Sequence, residues 1–188
     1  MAKRVFPRAS LTSERLVLRP FEPADAGDVC AIWNEAEYLR FAPARFPHAG
    51  GSLEQARHWC TDTVEQQRRD GTGIAFAAVA DSRLAGHAGL FGADWNAMVC
   101  EIHYWTGPWA RGHGYAAEAA RAVARWALAQ QGFARIALNA STANAASLTV
   151  AKAAGFRFEG VLRNASFTQA GRGDMAVYSM IPADLEGS

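Results

Sequence analysis

Arg111-Gly-His-Gly-Tyr-Ala116 sets two glycines one residue apart at the head of a run that reads as a helix. The N–H groups of a helix's first turn have no intrahelical partner, and the helix dipole favours an anion there. Glycine lets a backbone come close to a phosphate. Arg111 adds a positive charge at the mouth. A strand-to-helix turn with glycines for tight packing is the plainer reading, and Gly112 and Gly114 alone leave it open. Gly112-His-Gly114-Tyr-Ala-Ala117 also fits the dinucleotide fingerprint. That motif needs an acidic residue about 20 positions further on for the ribose. No Asp or Glu stands between Glu118 and Glu159, so the dinucleotide reading fails. No Gly-Lys-Ser/Thr follows, which excludes a P-loop.

Glu101-Ile-His-Tyr-Trp105 is the second group with chemistry in it. Alternate residues of a strand share a face, so the Glu101 carboxylate, the His103 imidazole and the Trp105 ring look into one cleft. A carboxylate between Val99 and Ile102 needs a partner or a use. Proton acceptance and a structural salt bridge are both open for it. Downstream, Asn144-Ala-Ala-Ser147 opens a short helix. Ser147 is either a hydroxyl donor or a capping residue in the first helical turn.

Several elements must position these groups. Arg15–Pro20 alternates as a first strand. A helix over Pro23–Leu39 buries Ala26, Val29, Ile32 and Trp33. The Phe41–Gly51 stretch is a proline- and glycine-bearing loop. Ser52-Leu-Glu-Gln55 is a capping box that starts a helix running to Arg69. Ile74–Ala80, Leu84–Phe91 and Val99–Thr106 form an antiparallel meander. The helix after the glycines buries Ala116, Ala119, Ala120, Val123, Trp126 and Ala127, with Glu118, Arg121 and Arg125 outward. Then come a strand at Arg135–Ser141, a helix at Ala145–Ala154 ended by Gly155, and strands at Phe156–Leu162 and Met175–Ile181. The order βααβββαβαββ predicts an α/β chain with a mixed sheet covered by helices.

The chain has 188 residues, half of them hydrophobic and a fifth charged, with net charge +1. This predicts one folded domain, without the charge for a nucleic-acid or membrane-surface partner. No apolar segment follows the basic N-terminus and none approaches a membrane span, so a cytoplasmic protein is expected. Cys30, Cys60 and Cys100 lack disulfide or zinc spacing and read as buried thiols, and no metal is required.

Arg111-x-x-Gly114-x-Ala116 is similar to the pyrophosphate loop of the GCN5-related N-acetyltransferases, written Q/R-x-x-G-x-G/A. Glu101–Trp105 stands where that family places its fourth strand. Asn144-x-x-Ser147 with Lys152-Ala-Ala-Gly-Phe156 and Gly160 resembles the N-x-x-S…K-x-G-F…G pattern of the RimJ/RimL ribosomal-protein acetyltransferases, with one extra alanine after Lys152. Thr12–Pro20 looks like that subfamily's opening strand. The resemblance spans about residues 12–181.

It implies a mostly antiparallel sheet whose fourth and fifth strands, Val99–Thr106 and Arg135–Ser141, run parallel and splay apart. It implies acetyl-coenzyme A as donor, with its pyrophosphate on Arg111, Gly112, His113, Gly114, Tyr115 and Ala116. The pantetheine arm would lie along Trp105 and Thr106, with Asn144 and Lys152 also on the cofactor. Glu101 would be the base and Ser147 the acid, with the oxyanion at a strand N–H near Trp105. The acceptor would be an amine, first a protein N-terminal α-amine and second a small molecule. A non-catalytic acyl-coenzyme A-binding domain is the reading from a different class. Trp33, Phe41 and His103 would face the acceptor, as would Tyr38, Phe46 and Trp59, though core packing is equally open for these aromatics. Arg40 and Arg45 would attract an acidic acceptor or simply lie exposed, and the Ser166–Asp174 connection would hang over the cleft. Many relatives have glycine where His103 stands. A monomer or a homodimer is expected.

Overall fold

The computed structural model describes residues 4–42, 49–169 and 171–185. Arg45 and Phe46 therefore lie outside the described residues. The strands are β1 (Leu11–Thr12), β2 (Val17–Arg19), β3 (Gly73–Ala80), β4 (Arg83–Asp94), β5 (Val99–Thr106), β6 (Arg135–Ser141), β7 (Arg157–Thr168) and β8 (Gly171–Met180). They form an eight-stranded sheet in the order β1-β2-β3-β4-β5-β6-β8-β7. Every neighbouring pair is antiparallel except β5 and β6, which run parallel. The expected mixed sheet and its parallel pair are present.

The helices are α1 (Ala26–Trp33), α2 (Ala36–Phe41), α3 (Leu53–His58), α4 (Val64–Asp70), α5 (Tyr115–Gln130) and α6 (Ala145–Ala153). The single early helix expected over Pro23–Leu39 is divided. Asn34 turns its amide to the carbonyls of Cys30 and Gly51, at 2.8 and 2.9 Å. Glu35 then caps α2 by accepting from the Tyr38 N–H at 3.0 Å. Side chains that bond backbone groups locally break a helix at such a point. The Ser52/Gln55 capping box forms as expected, and Gly71 ends α4 in the left-handed conformation. Between α3 and α4 the helix widens into a π turn at Trp59–Thr63.

Each face of the sheet has its own core. On one face α5 lays down a stripe of small residues, Ala117, Ala119, Ala120, Val123, Ala124 and Ala127, against Phe76, Leu90 and Ile102. Alanine keeps that helix close to the strands and also favours helix. On the other face Phe21, Val29, Trp33, Trp59 and Leu84 pack together. Trp33 is 0 % exposed, with its ring centroid 5.4 Å from that of Trp59. That corrects its expected acceptor role, because a side chain without surface touches no substrate. Trp33→Ala is expected to cost about 3–5 kcal/mol. Denaturant unfolding checks this, and a midpoint near that of the parent would contradict it.

The last two strands run further than the sequence suggests. Ser166, Phe167 and Thr168 pair with Gly173, Arg172 and Gly171, so most of the expected Ser166–Asp174 connection is strand. A register break between Leu162 and Ser166 explains the miss. There Asn164 takes a positive φ of 57° and donates its N–H to the Asp174 carboxylate at 2.8 Å. The tip of this hairpin meets the end of α2, where the Gln169 N–H donates to the Ala42 carbonyl at 3.3 Å.

Candidate active site

Gly112 and Gly114 have φ angles of 80° and 77°, the region that L side chains rarely adopt. A Cβ on Gly112 would meet open space, and one on Gly114 only the Arg15 guanidinium at 3.6 Å. Tight packing is therefore not why these positions are glycine. Their left-handed turns curl the chain into the head of α5. No acceptor among the described residues takes the N–H groups of residues 112–116. Five successive donors are thus without a protein partner at a helix N-terminus, where the dipole favours an anion.

The loop is tied down from behind. Glu118 accepts from the Ser13 hydroxyl at 2.7 Å, the Arg15 N–H at 2.8 Å and the Arg15 guanidinium at 2.8 Å. Arg15 also donates to the His113 carbonyl at 2.8 Å. Glu118 was expected to face solvent and instead anchors the loop to the first strands. Arg111 also departs from expectation. Its guanidinium reaches Glu35 at 2.6 Å and Glu37 at 2.8 Å, so its charge is spent on α2. Arg111 holds the Glu35 carboxyl down at about 2. Its contribution to an anion site is therefore backbone position rather than free charge. His113 folds over its loop, with Nδ1 2.9 Å from the Arg111 carbonyl and its ring stacked 5.4 Å from Tyr115.

β5 and β6 pair only where Val99, Cys100 and Glu101 meet Arg135, Ile136 and Ala137. Beyond Glu101, β5 stays paired with β4 to Thr106, while no backbone bond joins it to β6. Among the described residues nothing pairs with one edge of residues 102–106, including Trp105 and Thr106. An extended chain can add itself to such an edge. Across the splay, the Tyr104 hydroxyl lies 2.7 Å from Ser147 Oγ. The cap of α6 is Asn144, whose side-chain oxygen accepts from the Ser147 N–H at 3.0 Å. Ser147 is thus not the capping residue, and its hydroxyl is left for the splay. Burial pushes the Tyr104 hydroxyl up to about 12, so the phenol stays protonated. Lys152 stands exposed in the last turn of α6 and has no partner among the described residues.

Glu101 and His103 lie on the opposite face of β5 from Tyr104, as alternation requires. Burial pushes the Glu101 carboxyl above its ordinary value, opposed by a hydrogen bond with Asn139 on β6. Among the described residues no salt bridge reaches Glu101. The His103 ring centroid is 4.7 Å from that of His87 and 5.1 Å from that of Phe91. Burial lowers His103 to about 4, so its imidazole is neutral near pH 7. Trp105 packs half-buried on Phe21, Trp59 and His87. Phe41 closes α2 half-buried, beneath the Arg40 guanidinium at 5.0 Å.

Sequence reasoning passed over His87, Tyr104, Asn139 and Arg15. The signal for His87 was its register, since it sits opposite Trp105 once β4 and β5 are paired. Tyr104 alternates away from the Glu101 face and was read only as part of the strand.

The splayed parallel pair and the glycine-capped helix are the features that the resemblance to the acetyltransferases implies, and comparison with known proteins agrees. The family model described as an acetyltransferase (GNAT) domain matches residues 15–157. The chain belongs to this family, whose activity is acetyl-coenzyme A-dependent N-acetylation. Solved structures share the fold at low identity. RimJ of Mycobacterium smegmatis, in complex with a coenzyme A disulfide, superposes with a TM-score of 0.86 at 18% identity, covering 96% of this chain and 91% of that one. The ribosomal-protein-S5-alanine acetyltransferase of Vibrio fischeri gives 0.78 at 20%, covering 92% and 96%. The microcin C7 self-immunity acetyltransferase MccE, in complex with acetyl-coenzyme A and AMP, gives 0.79 at 17%, covering 90% and 93%.

Proposed function

We propose that the chain transfers the acetyl group of acetyl-coenzyme A to a protein N-terminal α-amine. The observation that carries the donor half is the open β5 edge leading to five unpartnered N–H groups at the head of α5. The pyrophosphate sits on residues 112–116 and the pantetheine arm adds to the edge of residues 102–106. Asn144 and Lys152 flank that path.

When bound, acetyl-coenzyme A supplies an acetyl thioester. Only a neutral amine attacks it. At pH 7, deprotonation costs a lysine amine roughly 4.6 kcal/mol and an α-amine only about 1.1 kcal/mol. An α-amine is therefore the easier nucleophile. Glu101 takes the proton that the attacking nitrogen loses as its bond to carbon forms. The Ser147 hydroxyl, backed by Tyr104, gives a proton or hydrogen bond to the departing sulfur. The two groups reach the splay from opposite faces of β5, so neither obstructs the other.

The acceptor side in this reading is the α2 end and the β7–β8 hairpin tip, which the Gln169–Ala42 backbone bond joins. Support for a protein acceptor comes from the RimJ and S5-alanine acetyltransferase neighbours. A small-molecule amine is the second reading, favoured by the likeness to MccE. A screen of ribosomal-protein N-terminal peptides against amino-acid derivatives, polyamines and aminoglycosides separates the two. Acetylation of a peptide α-amine well above every small amine is expected, and the reverse ranking would overturn the protein acceptor.

A further inference from the structure

We propose that His87 is a positioning residue that fixes His103 in the tautomer with a bare Nδ1, and that this nitrogen accepts a hydrogen bond from the acceptor amine. The inference rests on the amine-acceptor reading above. It begins at a carbonyl. His87 Nδ1 lies 3.0 Å from the Phe76 carbonyl, which accepts only, so Nδ1 carries the proton. His87 is 1 % exposed and is packed among Phe21, Trp59 and Trp105, with no carboxylate among the described residues acting on it. Such surroundings hold an imidazole neutral. His87 Nε2 is then a lone pair.

That lone pair lies 3.3 Å from His103 Nε2. One of the two nitrogens must donate, and His87 cannot, so His103 carries its proton on Nε2. His103 Nδ1 is left bare. It has no partner among the described residues and is not among their buried unpartnered atoms, so it keeps some accessible surface. Gly89 makes room for the pair, because a Cβ there would come within 2.7 Å of the His87 ring.

A primary amine has two N–H bonds and one lone pair. His103 Nδ1 takes one N–H and Glu101, two residues away on the same face, takes the other. The lone pair is then aimed at the thioester. The nitrogen–carbon bond forms, and the carbon–sulfur bond breaks with its electron pair leaving on the coenzyme A sulfur, which the Ser147 hydroxyl hydrogen-bonds. The proton from nitrogen goes to Glu101, and His103 keeps its own proton throughout.

Two variants test this. Gln at position 87 can donate to the Phe76 carbonyl and accept from His103, whereas Leu can do neither. His87→Leu should raise the KM for the amine about fivefold to tenfold, with the KM for acetyl-coenzyme A unchanged. His87→Gln should restore the parent value. Long-range nitrogen–proton NMR on histidine-labelled protein reads the tautomer directly and does not depend on turnover. His103 should show Nε2–H alone in the parent and in His87→Gln, and a mixture in His87→Leu. An Nδ1–H or charged His103 in the parent overturns the inference, as does an amine KM that His87→Leu leaves unchanged. A parent with no acetyl transfer overturns the amine-acceptor reading and the kinetic role together, while the tautomer is still read.

Discussion

Glu101→Gln is expected to lower kcat about 10²–10⁴-fold, the usual contribution of a positioned base. Acetyl-coenzyme A affinity should stay near that of the parent, because Glu101 lies on the face away from the Tyr104–Ser147 pair and well short of the glycine loop. The pH dependence makes the claim specific. A base works deprotonated, so activity rises as pH climbs through its pKa. Burial places the Glu101 carboxyl above the ordinary carboxylate value, and the acid limb of the kcat profile should lie correspondingly high. A second rise follows the deprotonation of the amine itself, near 7.8 for an α-amine. The glutamine variant should lose the first limb and keep the second. A profile unchanged in shape would remove Glu101 from the reaction.

Gly114→Val is expected to weaken coenzyme A binding about 10–100-fold, the equivalent of losing one or two hydrogen bonds to a charged group. Two effects add. At φ 77° a β-branched residue is strained, so the turn that aims the N–H groups shifts. The new side chain also crowds the Arg15 guanidinium, which a Cβ here meets at 3.6 Å, and so disturbs the contacts that hold the loop. Isothermal titration with coenzyme A measures the loss, and the far-ultraviolet circular dichroism should be unchanged because α5 begins after this position. Affinity equal to that of the parent would show that the anion binds elsewhere.

Different features of this chain were legible for different reasons. The meander, the amphipathic α5 and the Ser52 box were readable because hydrophobic period and capping chemistry are local. Trp33 was misplaced because a buried and an exposed aromatic look alike on an early helix, and only the opposing sheet face decides. Arg111 looked like a free cation because its partners, Glu35 and Glu37, are more than seventy positions away in sequence. Glu118 was missed in the same way, since Ser13 and Arg15 reach it across the fold. The β7–β8 hairpin was cut short because a bulge at Asn164 breaks the period-two pattern from which a strand is recognised. His87 shows the same limit at the site. Its tautomer depends on a carbonyl in a neighbouring strand, which no local pattern encodes.

The central claim is that an amine, bound on the Glu101 face, attacks a thioester held in the splay. Release of the coenzyme A thiol, followed with a thiol reagent as amine concentration is varied at saturating acetyl-coenzyme A, tests it most directly. Saturable, amine-dependent release, matched mole for mole by acetylated amine, is the predicted result. Tight acetyl-coenzyme A binding with no release above hydrolysis, for peptides and small amines alike, would contradict it and leave a binding domain in place of an enzyme.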